Sequence, residues 1–347
     1  MTMIVLQPFL PSTTMRRLAG IPLLFVLLCA MVLVNLFWGH YPLTWLEFWH
    51  WLWGDAQLST EKVIQIHLLL FEIRLPRLLV AVLVGAALAC SGAVFQAVFR
   101  NPLAAPDILG VMGGAAFGGA LGIILGGPWW TIQIAALLFG LAAVAMAYGI
   151  ARHFPGQPTL MLVMGGILAG ALFTALLSLV KYAADPYQQL PGIVFWLMGS
   201  LSNVPMSQIG YFALPVVLGI CLLFLYGPHL DALSLGDEEA HSLGLPVRRT
   251  RLTVIFVATL LSAMAVMMAG MIGWIGLIVP HLARLLLGPG NRRLLLGSAI
   301  LGAAYLLLAG ALARNLFAMD VPVGVFAELL GIPAFLLVLR QIRKAWA

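Results

Sequence analysis

Between Asp231 and Arg251 the chain reads DALSLGDEEAHSLGLPVRRTR, a charged island flanked by long apolar runs. It holds four of the twelve acidic residues and three of the eighteen Lys and Arg residues, in a chain of which only 9% is charged. A soluble protein scatters its charges; gathering them between two apolar runs builds a surface for contact with another protein outside a membrane. A second chemistry is carried by Glu328, a carboxylate inside an apolar run. Near a bilayer centre such a group costs about 2.5–3.5 kcal/mol, so it must face a protein partner or a wet cavity. A third is carried by Arg74, Arg77 and Arg314, guanidiniums that stay charged and can grip a carboxylate with two parallel hydrogen bonds.

What is absent narrows the chemistry further. No G-x-x-x-x-G-K-[ST] phosphate loop occurs, the lysines being Lys62, Lys181 and Lys344, so the chain is not itself an ATPase. His40, His50, His67, His153, His229, His241 and His281 include no i, i+3 or i, i+4 pair that would hold a metal on one helix face. There is no Gly-x-Ser-x-Gly elbow and no nucleophile and base pair. No catalytic residue, metal ligand or bound cofactor is therefore assigned to this chain. Cys29, Cys90 and Cys221, an odd number without paired spacing, read as small buried hydrophobes.

The elements that position these groups are membrane helices. With 63% hydrophobic residues and a mean hydropathy of +1.06 over 347 residues, the chain has too little polar surface to cover a soluble globule. A crossing helix needs about 20 mainly apolar residues, and ten such runs stand at 18–38, 76–98, 108–127, 129–150, 159–180, 205–226, 252–270, 274–288, 294–313 and 322–340. Gly270, Gly273 and Gly276 interrupt the seventh and eighth. The expected fold is all-α and polytopic, one transmembrane domain over 1–347. With a cytoplasmic N-terminus, thirteen Lys and Arg residues fall inside and only Lys62, Arg74, Arg77, Lys181 and Arg314 outside. This is the positive-inside bias. It accounts for the net charge of +6 as topology, excludes nucleic acid as a partner and puts both termini in the cytoplasm. The three arginines on the outer side run against that bias and call for a reason.

The first run is too long for a signal peptide and lacks a cleavage site, so it reads as a retained helix behind a flexible leader of fourteen residues. Pro76, Pro205 and Pro322 mark helix beginnings, and Asp107 is placed to cap the third span. Segment 182–204 is too polar and broken to cross; its Phe195-Trp196-Leu197-Met198 core predicts a short helix at the outer interface. Gly110, Gly114, Gly118, Gly122 and Gly126 recur every four residues and predict a groove for close helix packing.

RLPRLLVAVLVGAALACSGAVFQAVFRNPLAAPDILGV (74–111), GMIGWIGLIVPHLARLLLGPGNRR (270–293) and VPVGVFAELLGIPAF (321–335) resemble, in this order, the blocks of FecCD-type permeases. These are the membrane subunits of ATP-binding-cassette importers for ferric siderophores, haem, cobalamin and related metal complexes. The resemblance implies the type II importer permease fold in a bacterial inner membrane. It implies a homodimer, or a heterodimer with a close paralogue, with the path at its two-fold axis. Two ATP-binding subunits, which hold ATP and Mg, and one periplasmic binding protein complete the implied assembly. It implies that the island at 231–251 couples to the ATPase through Leu233, Leu235, Asp237, Glu238, Glu239, Ala240 and Gly244, with Leu233, Leu235, Leu243 and Leu245 as the face held by the partner. By similarity to cobalamin importers, Arg74, Arg77 and Arg314 match arginines that receive acidic residues of the binding protein. Met161, Met164, Gly165 and Gly166 resemble pathway-lining positions, and Glu328, where the family usually has a small or neutral residue, is placed with them.

The expected function is import of an iron(III)-siderophore or similar metal complex by alternating access. Haem, cobalamin and molybdate are the alternatives within the family. An ion-coupled carrier is the rival from another class; it would show several midplane charges and inverted repeats, where this chain has Glu328 and no evident half-to-half symmetry.

Overall fold

The computed structural model of the protein describes residues 13–54, 58–154, 158–202, 204–317 and 319–346. Among them there are helices and no strand. In chain order these are α1 (Thr13–Phe37), α2 (Trp45–Trp53), α3 (Thr60–Leu68), a π turn (Leu69–Arg74) and α4 (Leu75–Phe99). A 3-10 turn (Pro106–Leu109), α5 (Val111–Ile124), α6 (Trp129–His153), α7 (Pro158–Ala183) and α8 (Gln189–Leu197) follow. The chain continues through α9 (Met206–Leu225), α10 (Gly227–Leu235), α11 (Asp237–Ser242), α12 (Val247–Ala269), α13 (Ile275–Leu287), α14 (Asn291–Asn315) and α15 (Val323–Trp346). Seven of the described helical runs are long and apolar enough to cross a membrane, and three shorter apolar ones, in α5, α13 and α15, complete the expected ten. Of the expected leader, the first twelve residues lie outside the described ones, and Thr13 and Thr14 already belong to α1.

α4 is the axis of the bundle, packed by α9, α12, α13 and α14. Its apolar content cannot drive this by itself, because lipid is as apolar as the interior; close backbone approach does. A Cβ on Gly85 would lie 2.2 Å from the Gly302 carbonyl oxygen, and one on Gly92 would lie 1.8 Å from that of Gly276. The polar side chains that α4 itself buries are hydrogen-bonded: Ser91 donates to the Ala258 carbonyl (2.9 Å) and Gln96 to that of Leu277 (3.0 Å). The glycine repeat on α5 packs as expected at its centre, where Cβ atoms on Gly114, Gly118 and Gly122 would collide with Phe139, Ala135 and Ile132 of α6. Gly110 instead meets Gly170 of α7, and Gly126 has open space.

Several local expectations change. Pro76 does not begin a helix: α3, the π turn and α4 form one continuous run, Thr60–Phe99. The π turn ends just before Leu75 and Pro76, which widens the spiral where proline can donate no hydrogen bond. Asp107 caps nothing with its side chain; it stands inside the 3-10 turn, and α5 is entered through Gly110 at φ 75°. Only Cys90 is buried, whereas Cys29 and Cys221 are exposed. The α2 and α3 pair was not foreseen, because its apolar stretches are too short for a span. Its signal was a capping box: the Thr44 hydroxyl accepts from Glu47 N (3.2 Å) while Thr44 N donates to Glu47 Oε2 (3.0 Å).

The segment after α7 forms the short helix predicted, α8. Asp185 starts it by accepting from the backbone of Tyr187 (2.9 Å) and Gln188 (2.7 Å). Its end interlocks with two other breaks in the helices: Ser200 N donates to Ala269 O (2.8 Å), and Gly324 N to Met198 O (3.2 Å).

Candidate functional site

Three features line up across the bundle. At one end, α10 and α11 carry the charged island. Asp231 accepts from the backbone and side-chain amides of Asn291, both at 2.8 Å, which ties α10 to the start of α14. Asp237, Glu238 and Glu239 fill the first turn of α11, where the helix dipole favours negative charge. Asp237 is ion-paired with Arg251 of α12, while Glu238 and Glu239 are exposed. α11 ends on Gly244 at φ 80°, whose N–H bonds the His241 carbonyl (2.9 Å), with Leu245 N on Ala240 O (3.1 Å). That double bond is a Schellman cap, which selects glycine. Ala240 is fully buried and seats the helix. Leu233 is 2% exposed and belongs to the chain's own core, so it is unavailable to a partner. Leu235 and Leu243, each 64% exposed, flank a depression of about 740 Å³ that also holds Arg100 and Arg284.

From this end a cavity of about 1060 Å³ runs along the bundle, from Leu103 and Asp107 past Gly113 and Trp274 to Lys181. α7 contributes Gly170, Thr174, Leu177 and Lys181, one face at helical spacing. The non-helical stretch between α12 and α13 contributes Met271 to Trp274; irregular backbone at such depth is tolerated where it lines a cavity. Trp274 holds the unusual φ of 68° and stacks edge-on against Phe335. Of the five residues first placed on the pathway, Glu328 alone lines this cavity, beside Gly273. Gly165 and Gly166 are buried against the backbones of Ala147 and Ile108, and Met161 and Met164 lie off the lining face. The lining is mainly apolar, with Asp107, Glu328 and Lys181 as its charges. It holds no nucleophile and base pair, and among the described residues no group of three His, Cys, Asp or Glu is placed to bind a metal.

At the opposite end a pocket of about 280 Å³ is lined by Arg77, Arg314 and Asp320. Arg77 pairs with Asp320 at 3.1 Å, and Arg314 donates to Asn35 Oδ1 at 2.7 Å. Arg74 is used differently. It is 8% exposed, and its two terminal nitrogens donate to the carbonyls of Leu36 and Tyr41, so it pins the chain between α1 and α2 and does not face outward. Asp320 was missed by sequence reasoning; an acid directly before the VPVG block was the available signal.

The FecCD transport family model matches residues 26–341. The molybdate import permease of Haemophilus influenzae is 36% identical over 334 residues, covering 96% of this chain and 98% of the relative. The hemin transport permease of Yersinia pestis is 38% identical over 337 residues, covering 94% and 96%. A solved transporter described as of the metal-chelate ABC type, in an inward-facing conformation, superposes with a TM-score of 0.83 at 35% identity, covering 93% of this chain and 99% of that one. With ten apolar helices among the described residues, a break between α12 and α13 that lines an open cavity, and a match to the family model over residues 26–341, the chain belongs to the FecCD transport family and is a multi-pass ABC-importer permease of the type II fold.

Proposed function

We propose that this chain moves an iron(III)-siderophore or similar metal complex from periplasm to cytoplasm by alternating access, as one half of a permease dimer. The cavity of about 1060 Å³ open along one side of the bundle carries this reading. Its volume exceeds what a small ion needs, and its mainly apolar wall lets cargo pass without a tight grip. A second copy of this chain, or a close paralogue, closes the open side. Two ATP-binding subunits sit against Glu238, Glu239, Leu235 and Leu243, with Asp237, Ala240 and Gly244 holding α11 in place and Leu233 anchoring α10 from within. ATP and Mg stay on those subunits. The binding protein delivers cargo to the pocket of Arg77 and Arg314, with Arg74 holding the rim. The excess of Lys and Arg at the α11 end supports a cytoplasmic location for that end and for both termini in an inner membrane.

Molybdate import is the second reading, supported by the relative that is 36% identical over 96% of this chain. Reconstituting the permease with its ATPase and binding protein, and following ATP-dependent uptake of a ferric siderophore, haem, cobalamin and molybdate, separates the readings. Saturable uptake of the siderophore is expected. Uptake of molybdate alone would move the assignment to the second reading, and transport that follows an ion gradient without ATP would sink both.

A further inference from the structure

Beside α11 lies a groove of about 720 Å³ to which the transport reading above gives no role. It opens between the end of α6, the start of α7 and the start of α12. Arg152, Arg248 and Arg249 line it, are exposed and have no carboxylate partner among the described residues. Arg251 lines it too and spends one nitrogen on Asp237, the acid of the groove; its Nε is buried and makes no hydrogen bond. Four guanidiniums against one carboxylate leave a net positive site. Its floor is apolar, made by Leu162, Leu252 and Ile255. Ile255 stands eight residues into α12, about 12 Å along the helix. The groove therefore spans from a cationic rim to hydrocarbon depth, and the neighbouring Leu160 and Phe256 are exposed as on a lipid-facing surface.

We propose that this groove binds an anionic phospholipid of the inner leaflet. Its phosphate lies among Arg152, Arg248 and Arg249 and its acyl chains lie on Leu162, Leu252 and Ile255. Charge complementarity selects it: a basic pocket between membrane helices on the cytoplasmic side favours an anionic headgroup by about 1 kcal/mol per arginine, roughly a hundredfold for three. A soluble phosphate would leave the apolar floor empty, and a zwitterionic lipid brings no net charge. Arg251, which lines the same groove, adds its charge while its guanidinium keeps Asp237. The lipid thus buttresses the seat of α11, next to the surface assigned to the ATPase. The inference uses the orientation given above, but lipid retention needs neither ATP nor cargo, so its failure leaves the importer reading untouched.

The test is native mass spectrometry of the full chain with its copurifying ATPase, delipidated and then titrated with phosphatidylglycerol, phosphatidylcholine or soluble glycerol phosphate. Wild type is expected to retain phosphatidylglycerol selectively. A variant with Arg152→Gln, Arg248→Gln and Arg249→Gln is expected to lose about a hundredfold of that preference, and Arg293→Gln, at the same end but outside the groove, none. Equal retention of the two lipids by wild type overturns the proposal even if the triple variant fails to fold. So does equal binding of glycerol phosphate, which would mark a free-phosphate site. Selectivity seen only without the ATPase overturns it as well, because a protein surface would then cover the groove.

Discussion

Arg74 and Arg77 stand three residues apart, yet one is a structural brace and the other faces a pocket. Replacing Arg74 with Ala removes the donor to the part-buried carbonyls of Leu36 and Tyr41, at about 0.5–1.5 kcal/mol for each hydrogen bond lost. A lower thermal midpoint is expected from that variant. Arg77→Glu, at a partly exposed pair with Asp320, is expected to keep the unfolding free energy within about 1 kcal/mol of wild type while weakening binding-protein docking. Thermal unfolding and binding titration of the two variants side by side check the division; loss of docking with no loss of stability in Arg74→Ala would contradict it. Glu47 gives a pH signature. The ion pair with Lys62 and the Thr44 backbone hydrogen bond hold its carboxyl down to about 2 from 4.5. A depressed carboxyl contributes stability above its unfolded value and loses it as pH falls through the folded one. The contribution is therefore complete above about pH 4.5 and gone near pH 2, with a solvent-screened size of about 0–1 kcal/mol. Glu47→Gln should flatten the unfolding profile across that window.

At the scale of elements, glycine decides how near two helices come. Gly92→Ala would drive a methyl into the Gly276 carbonyl, and with no flexible side chain to yield, α4 and α13 must separate. Overpacking of this kind costs about 1–3 kcal/mol or more. Gly149→Ala in α6 meets nothing within 4 Å and should be neutral or slightly stabilising, as helix propensity favours Ala by about 1 kcal/mol. Thermal midpoints in one detergent compare them directly. Of the glycines, the repeat on α5 was legible because it recurs every four residues; Gly85 and Gly92 of α4, Gly276 of α13 and Gly302 of α14 were not, because none belongs to such a run and each finds its partner across the bundle. The same holds for α2, whose capping box was written at Thr44 and Glu47 but whose nine residues were too few to register as a span.

Across the whole molecule, the cavity runs from Leu103 and Asp107 to Lys181, and the proposed transport requires α11 to be moved from outside. Glu238 and Glu239 are exposed in the first turn of α11, so reversing both to Lys should leave the permease folded and release its ATP-binding partner. Like-charge juxtaposition at an interface costs several kcal/mol. Copurification of the ATPase by the tagged permease, with thermal stability as the control, reads the outcome; full retention of the partner would remove α11 from the coupling surface.

Residue content by itself determined the membrane class, the ten runs, the bias of positive charge and the position of the acidic helix. Hydropathy and charge add up along one chain, and a bilayer reads them in that same order. Tertiary packing decided which face of α7 meets the cavity, since a helix apolar on all sides carries no mark of inside and outside. It turned Leu233 inward while leaving Leu235 out, because α10 rests on the bundle by one side only. And it took Arg74 from the outer surface to two backbone carbonyls 33 and 38 residues away, a pairing set by where α1 ends in space rather than by any spacing near the arginine.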